Sequence, residues 1–283
     1  MAHKMLSELG TNLFIHYPEI SMKFAPAQVT LAVLVALSGS AFAQTAAPAA
    51  APVDPISYNI SAVSNYKYRG QDQDTSKTRG FKPALQGGVD YAHASGFYVG
   101  NWNSTVNFLA PNGDKANVEV DLYGGYKFPL GDFGMDVGAL TYIYPGATKS
   151  NTTELYVAAT YGPVTAKYSG TVSKGYFGVG ESSSDGRGTG YLNLAFAQEV
   201  MPKVTLKASV GSTMFTSAGK VAAVAGVNYV DYSIGAAYDL GEGMSVTGFY
   251  AGGNKKNLIT GFQEGGLKSI NQGTFIVMLT KAI

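Results

Sequence analysis

The chain has no cysteine, few charges and no apolar run long enough to cross a bilayer as a helix. Without cysteine there is no disulfide framework, no thiolate metal site and no cysteine nucleophile. That absence is compatible with an oxidising compartment. Charged residues are 14% of the 283, and the formal net charge is +1, so no basic face marks a nucleic-acid partner. A soluble domain is roughly one quarter charged, so something other than charge must keep this protein dispersed. What it has in quantity is glycine, 36 residues, and tyrosine, 19 residues.

The N-terminal stretch stands apart from the fold. Met22-Lys23 opens a segment with an apolar core from Val29 to Leu37, followed by the small-x-small triplet Ala41-Phe42-Ala43. These are the parts of a secretory signal peptide, with cleavage expected after Ala43 and Gln44 as the mature N-terminus. Residues 1–21 carry Glu8, His16 and Glu19 and fit no signal n-region, so Met22 reads as the true start. The expected organisation is an extension plus signal peptide over 1–43 (signal 22–43), an Ala/Pro-rich periplasmic lead-in over 44–55, and a barrel over 56–283.

Past Ile56 the recurring pattern has period two, the mark of strands with two different faces. The first expected strand sets Tyr58, Ile60, Ala62, Ser64, Tyr66 and Tyr68 against Ser57, Asn59, Ser61, Val63, Asn65 and Lys67. The fourth sets Val118, Val120, Leu122, Gly124, Tyr126 and Phe128 against Glu119, Asp121, Tyr123, Gly125 and Lys127. The seventh and ninth alternate over 164–172 and 204–211, and the others fall at 81–92, 97–108, 133–144, 153–161, 188–199, 227–240, 244–251 and 274–281. The fifth, at 133–144, is ambiguous: Val137 with Ala139, or Leu140 with Tyr142, could face outward. The remaining apolar faces carry no Asp, Glu, Lys or Arg. A charge facing lipid at mid-membrane costs about 2–4 kcal/mol, so this absence is informative.

Connections alternate in length. Short turns such as Gly162-Pro163 and Gly241-Glu242-Gly243 are separated by the longer polar stretches 69–80, 109–117, 145–152, 173–187, 216–226 and 252–273. An outer-membrane barrel with both termini in the periplasm has this order. Tyr66, Tyr68, Phe81, Tyr91, Tyr98, Phe108, Tyr126, Phe128 and Tyr161 fall at strand ends on the apolar face and suit interfacial girdles. The expected fold is all-β: a transmembrane antiparallel up-and-down β-barrel of about twelve strands in the bacterial outer membrane.

Three motifs, Asn65-Tyr66-Lys67-Tyr68-Arg69-Gly70, Gln86-Gly87-Gly88-Val89-Asp90-Tyr91 and Gly96-Phe97-Tyr98-Val99-Gly100-Asn101-Trp102, resemble the TorF family of porins. So do Glu119-Val120-Asp121-Leu122-Tyr123-Gly124-Gly125-Tyr126 and Tyr142-Ile143-Tyr144-Pro145-Gly146. The resemblance is densest over 62–146 and implies a proteobacterial outer-membrane barrel of undefined substrate. Barrel chains usually end in an aromatic residue, whereas this one ends Phe275, Val277, Leu279, Lys281, Ile283 along one face.

Catalysis finds little support. His93, the one histidine past the signal segment, sits beside a short turn with no serine that can be matched to it. There is no G-x-S-x-G elbow and no H-E-x-x-H pair. Asp72-Gln73-Asp74 starts like a calcium loop, but Lys77 stands where its glycine belongs and Pro83 where its last acid belongs. Gly178-Val179-Gly180 lacks the strand–helix unit of a nucleotide site. No catalytic, cofactor or metal residue is therefore assigned, and an enzyme is not expected.

Function is expected in the lumen. Alternation turns Lys67, Arg69, Lys82, Asp90, Asn101, Asn103, Glu119, Asp121, Lys127, Glu154, Lys167, Lys207, Asp231 and Asp239 inward. The pore-lining candidates are Lys67, Arg69, Asn101, Asn103, Glu119, Asp121, Lys167, Lys207 and Asp231. Mixed signs predict weak ion selectivity, and three arginines past the signal segment argue against a clamp for anionic oligosaccharides. The reading is a porin-like channel for passive diffusion of small solutes or ions. The alternatives are a closed structural or adhesive barrel, or an outer-membrane enzyme. Expected partners are outer-membrane lipid, the barrel-assembly machinery during insertion and small solutes or ions, with no nucleic acid. Inward lysines and acids within bridging distance at one level would mean a plugged lumen.

Overall fold

In a computed structural model the described residues are 54–75, 81–109, 114–179, 185–216, 228–254 and 270–283. The expected signal peptide, most of the lead-in and the side chain of Phe108 lie outside them.

Twelve strands close into an antiparallel barrel. They are β1 (Ile56–Val63), β4 (Ala84–Ala92), β5 (Phe97–Leu109), β6 (Lys115–Leu130), β7 (Phe133–Ile143), β8 (Thr152–Tyr161), β9 (Val164–Thr171), β10 (Gly190–Met201), β11 (Val204–Met214), β12 (Tyr229–Gly241), β13 (Met244–Gly253) and β14 (Thr274–Ala282). Two short strands, β2 (Lys67–Tyr68) and β3 (Gln71–Asp72), pair separately as a hairpin. Closure runs through β1, which pairs β4 on one side and β14 on the other. The seam continues past the strands, with Tyr58 N–H donating to Ile283 C=O and Ile283 N–H to Tyr58 C=O, both at 2.9 Å. In hydrocarbon no water can satisfy a free backbone group, so only a sheet without edges is stable there.

Five connections are tight turns, and the intervening ones are long, as the sequence pattern predicts. Gly131 and Gly162 take φ of +60° and +55° in two such turns, a conformation that costs a side chain with a Cβ but not glycine. The barrel therefore has a short-turn end and a long-loop end. Large apolar side chains stand exposed all around its outer face, among them Ile60, Leu85, Leu122, Leu155, Leu194, Ile234 and Val277. Nothing but lipid would cover so continuous an apolar belt on a barrel.

Facing follows the expected alternation on β6, β9 and β11, and β7 resolves in favour of Val137 outward with Leu140 and Tyr142 inward. Two expectations are corrected. First, the opening strand ends at Val63 instead of running to Tyr68. Tyr66 and Tyr68 are no lipid girdle: they turn into the barrel, where Tyr66 meets the Trp102 ring and Tyr68 the Tyr142 ring. Second, β5 carries its faces the other way round. Asn101 pairs Leu122 and Asn103 pairs Val120 on the outward face, while Trp102 pairs Asp121 and Ser104 pairs Glu119 on the inward face. Tyr98 likewise points inward.

The physical reason lies in the pair of amides. Burying an unpaired amide in an apolar medium costs about 2–7 kcal/mol, yet here the amides find partners within the wall. Asn103 Nδ2 donates to Asn101 Oδ1 at 2.6 Å, and Asn101 Nδ2 donates to the Asp121 carbonyl at 3.1 Å. Phe97 and Val99 then face lipid, and the Trp102 ring fills the lumen.

Candidate functional site

The site begins where the chain leaves the wall. After Val63, residues 64–75 fold into the lumen, with β2 and β3 joined by a turn at Arg69-Gly70 whose φ values are +46° and +75°. An arginine in that region is strained by about 1–2 kcal/mol, so its surroundings must hold it there. Gly70 is required: a Cβ would meet the Asp231 Cβ and the Gly252 carbonyl oxygen at 2.8 Å each.

Side chains of the hairpin reach several strands and a loop. The Arg69 guanidinium meets Glu154 of β8 fork to fork, Nη1 to Oε1 at 2.8 Å and Nη2 to Oε2 at 2.7 Å. It lies over the Tyr191 ring at 4.1 Å, with the Tyr68 ring at 4.8 Å, and Nη1 also donates to the Tyr176 hydroxyl at 3.2 Å. Gln71 donates to the Tyr229 hydroxyl at 2.7 Å. Lys67 Nζ pairs Asp72 at 2.8 Å and donates to the Ile270 carbonyl at 3.0 Å. Lys82 joins the same carboxylate at 3.7 Å. The Thr75 N–H ties the hairpin's exit to the Asn107 carbonyl at 2.9 Å. Phe177, from the long connection after β9, packs on Tyr68, Tyr142 and Tyr176 at 4.8–5.5 Å between ring centroids.

The consequence is a packed cluster around the hairpin. Trp102, Glu119, Asp121 and Ile276 are 0% exposed and Glu154 is 1% exposed, on β5, β6, β14 and β8. These five side chains are out of reach of solvent, packed among the residues of the hairpin and the surrounding strands. The hydroxyls of Tyr66 and Tyr144 lie beside the Glu119 carboxylate. The tethered hairpin brings opposite charges within bridging distance, the condition under which the sequence reading would favour a closed lumen over an open one.

The short-turn half is built differently. Tyr98 donates to Asp136 and Tyr123 to Asp90, both at 2.6 Å, and the Tyr98 and Tyr156 hydroxyls pair with each other. Lys167 Nζ stands 3.9 Å over the Tyr156 ring and Lys127 Nζ 4.9 Å over the Tyr98 ring. These tyrosines lie along the wall because glycine makes room for them. A Cβ on Gly125 would sit 2.6 Å from the Tyr98 hydroxyl, and one on Gly138 2.5 Å from that of Tyr156. Asp90, Asp136 and Lys167 are half-buried, and Lys127 and Asp239 are exposed at the rim.

Of the sequence candidates, then, the structure brings Lys67, Arg69, Glu119, Asp121 and Asp231 together in the filled half, with Lys82 and Glu154. Lys167 and Lys207 stay on the inward wall nearer the short turns. Asn101 and Asn103 are removed from the lumen. Sequence reasoning missed Trp102, Tyr176, Phe177 and Tyr191. The lone tryptophan, flanked by asparagines in an otherwise apolar strand, was the available signal for the first. His93 Nδ1 is 2.6 Å from Ser95 Oγ and accepts from the Ser95 N–H at 3.2 Å, a serine contact not anticipated. Both residues are exposed, and the contact closes a turn. Outside the barrel, hydrogen bonds from Arg187 hold the Asp185 carboxyl below its ordinary pKa.

Residues 45–283 match the family described as bacterial protein of unknown function, Gcw_chp. That match carries no porin name, and the TorF likeness stays a resemblance. No curated protein matches the sequence. Among solved structures, the NanC porin is 8% identical with a TM-score of 0.51, over 79% of this chain and 98% of that one. A KdgM porin solved in complex with disordered oligogalacturonate is 8% identical with a TM-score of 0.47, over 80% of this chain and 97% of that one. At such identity the NanC likeness concerns the barrel fold alone.

Proposed function

This chain belongs to the Gcw_chp family of bacterial proteins of unknown function, and we propose that its barrel is a porin-like outer-membrane channel for small polar solutes, closed here by the 64–75 hairpin. The long-loop end is then external and the short-turn end periplasmic. The observation that carries the reading is the chemistry of the seal: Arg69–Glu154 and Lys67–Asp72 are ion pairs, nearly or wholly buried. Buried ion pairs contribute little stability, and apolar side chains of similar volume fill a space as well or better. A barrel meant to stay solid has no need of them. A charged tongue that must leave its seat and re-enter does, because water can solvate both halves in the open state. The polar lumen and the fold shared with the NanC porin support the same reading.

The test is a current. Purified protein in a planar bilayer should be silent or show rare, small openings. A variant with 66–74 replaced by a short Gly/Ser linker, assembled as judged by heat-modifiable gel mobility, should conduct steadily. An assembled linker variant without current would overturn the channel in favour of a closed structural or adhesive barrel.

A further inference from the structure

The seat of Arg69 belongs to the wall and the adjoining loop, not to the hairpin. Glu154 on β8, Tyr176 before β10, Tyr191 on β10 and Asp231 on β12 would remain if the hairpin withdrew. Their geometry is specific for a planar cation. Glu154 presents both oxygens to two parallel N–H groups, and Tyr191 offers its ring face 4.1 Å from the guanidinium carbon. An ammonium group can neither form that fork nor stack flat. Asp231 accepts from the Tyr191 hydroxyl at 3.0 Å through Oδ1, while its Oδ2 is buried without a hydrogen-bond partner among the described residues. The Arg69 Nε is likewise buried without one. The tethered arginine therefore uses this seat incompletely, and does so from a left-handed backbone conformation at φ +46°.

Charge placement adds a second strand to the argument. Outside the hairpin this half carries Glu119, Asp121, Glu154 and Asp231 against Lys82, whereas Lys67, Arg69 and Asp72 ride on the hairpin. Withdrawal would leave a carboxylate-lined passage, the arrangement that favours cations.

We propose that the Arg69 seat is a recognition site for small solutes carrying a guanidinium group, which take the place of Arg69 on Glu154 and Tyr191 and so release the hairpin. The passage of such a solute rests on the channel reading above; its binding does not.

Trp102 supplies the readout. It is the only tryptophan, fully buried, with its ring 5.8 Å from that of Tyr66 at the root of the hairpin. Detergent-folded protein is titrated with ethylguanidinium and, at matched ionic strength, with ethylammonium while tryptophan emission is followed. In Arg69→Ala, ethylguanidinium should saturate at a concentration at least about tenfold lower than ethylammonium, and adding Glu154→Gln should erase that preference. In the wild type, ethylguanidinium should shift the emission to the red as the hairpin lifts, and ethylammonium should not. Equal responses to the two cations, or none to ethylguanidinium, in folded Arg69→Ala would overturn the proposal. Should that variant not fold, a wild-type emission indifferent to ethylguanidinium overturns it. Guanidinium-selective binding in a protein whose linker variant carries no current would discard the channel and keep the site.

Discussion

The two halves of the lumen are lined by the same alternating strands, yet they handle charge in opposite ways. The long-loop half buries it, pairing Arg69 with Glu154 and Lys67 with Asp72 through a hairpin that enters from outside the wall. The short-turn half leaves its carboxylates half-exposed, holding Asp136 and Asp90 by the hydroxyls of Tyr98 and Tyr123 within the wall itself. A barrel strand specifies which side chains point inward but not what occupies the space they point into. In one half that space is taken by a loop; in the other, glycines let tyrosines lie along the wall.

The strongest way to break this contrast is to remove one carboxylate from each half. Glu154→Gln leaves the Arg69 guanidinium buried without its counter-charge, which costs about 3–5 kcal/mol when a buried pair is halved. Asp136→Asn keeps an acceptor for Tyr98 in a partly hydrated place and should cost about 1 kcal/mol. Denaturant unfolding of folded protein, monitored by gel mobility, compares them. Equal losses would mean that the long-loop half is as wet as the short-turn one.

A second pair sharpens the contrast between lumen and lipid. Leu122→Arg faces lipid in mid-strand and should impair assembly by about 2–4 kcal/mol. Asn101 sits opposite Leu122 on the same outward face, so Asn101→Arg should impair assembly by a comparable amount, about 2–4 kcal/mol. Had β5 kept the facing read from the sequence, Asn101→Arg would point into water and assemble well. Folding yields in detergent decide between the two.

Much of the fold was legible because period two and alternating loop lengths are one-dimensional signals. They gave the twelve closing strands and the outward rows of β6, β9 and β11. What misled was composition at single strands. On β5 the asparagines look like lumen residues, but two adjacent amides can satisfy each other in lipid and let Trp102 turn inward. The opening strand looked continuous to Tyr68 because its alternation does not stop at Val63; tertiary contacts with Trp102, Tyr142 and Glu154 stop it. The site was half legible for the same reason. Lys67, Arg69, Glu119, Asp121 and Asp231 were found as inward charges. Their convergence on one level depends on barrel shear and on a loop folding back, and neither is written in local periodicity.

The smallest expected effect concerns selectivity in the short-turn half. Lys167 and Lys207 follow short turns by similar distances, on β9 and β11, and both face the lumen. Lys167 is not isolated: it stands over the Tyr156 ring, on the same row as Asp136 across β8. In a linker variant that lacks the hairpin, an ion meets two filters in series. The first is the wall of Glu119, Asp121, Glu154 and Asp231, and the second is the lysine pair. Four carboxylates outweigh these two lysines and Lys82, which stays when the hairpin is replaced, so the open channel should prefer cations. Replacing both lysines by Glu should then move the reversal potential in a salt gradient only slightly further towards cation selectivity, with assembly intact. Replacing Glu154 and Asp231 by their amides should move it the other way, and further. If the lysine change moved the potential more, the narrow point would lie in the short-turn half, and the carboxylates of the long-loop half would be lining without being a filter.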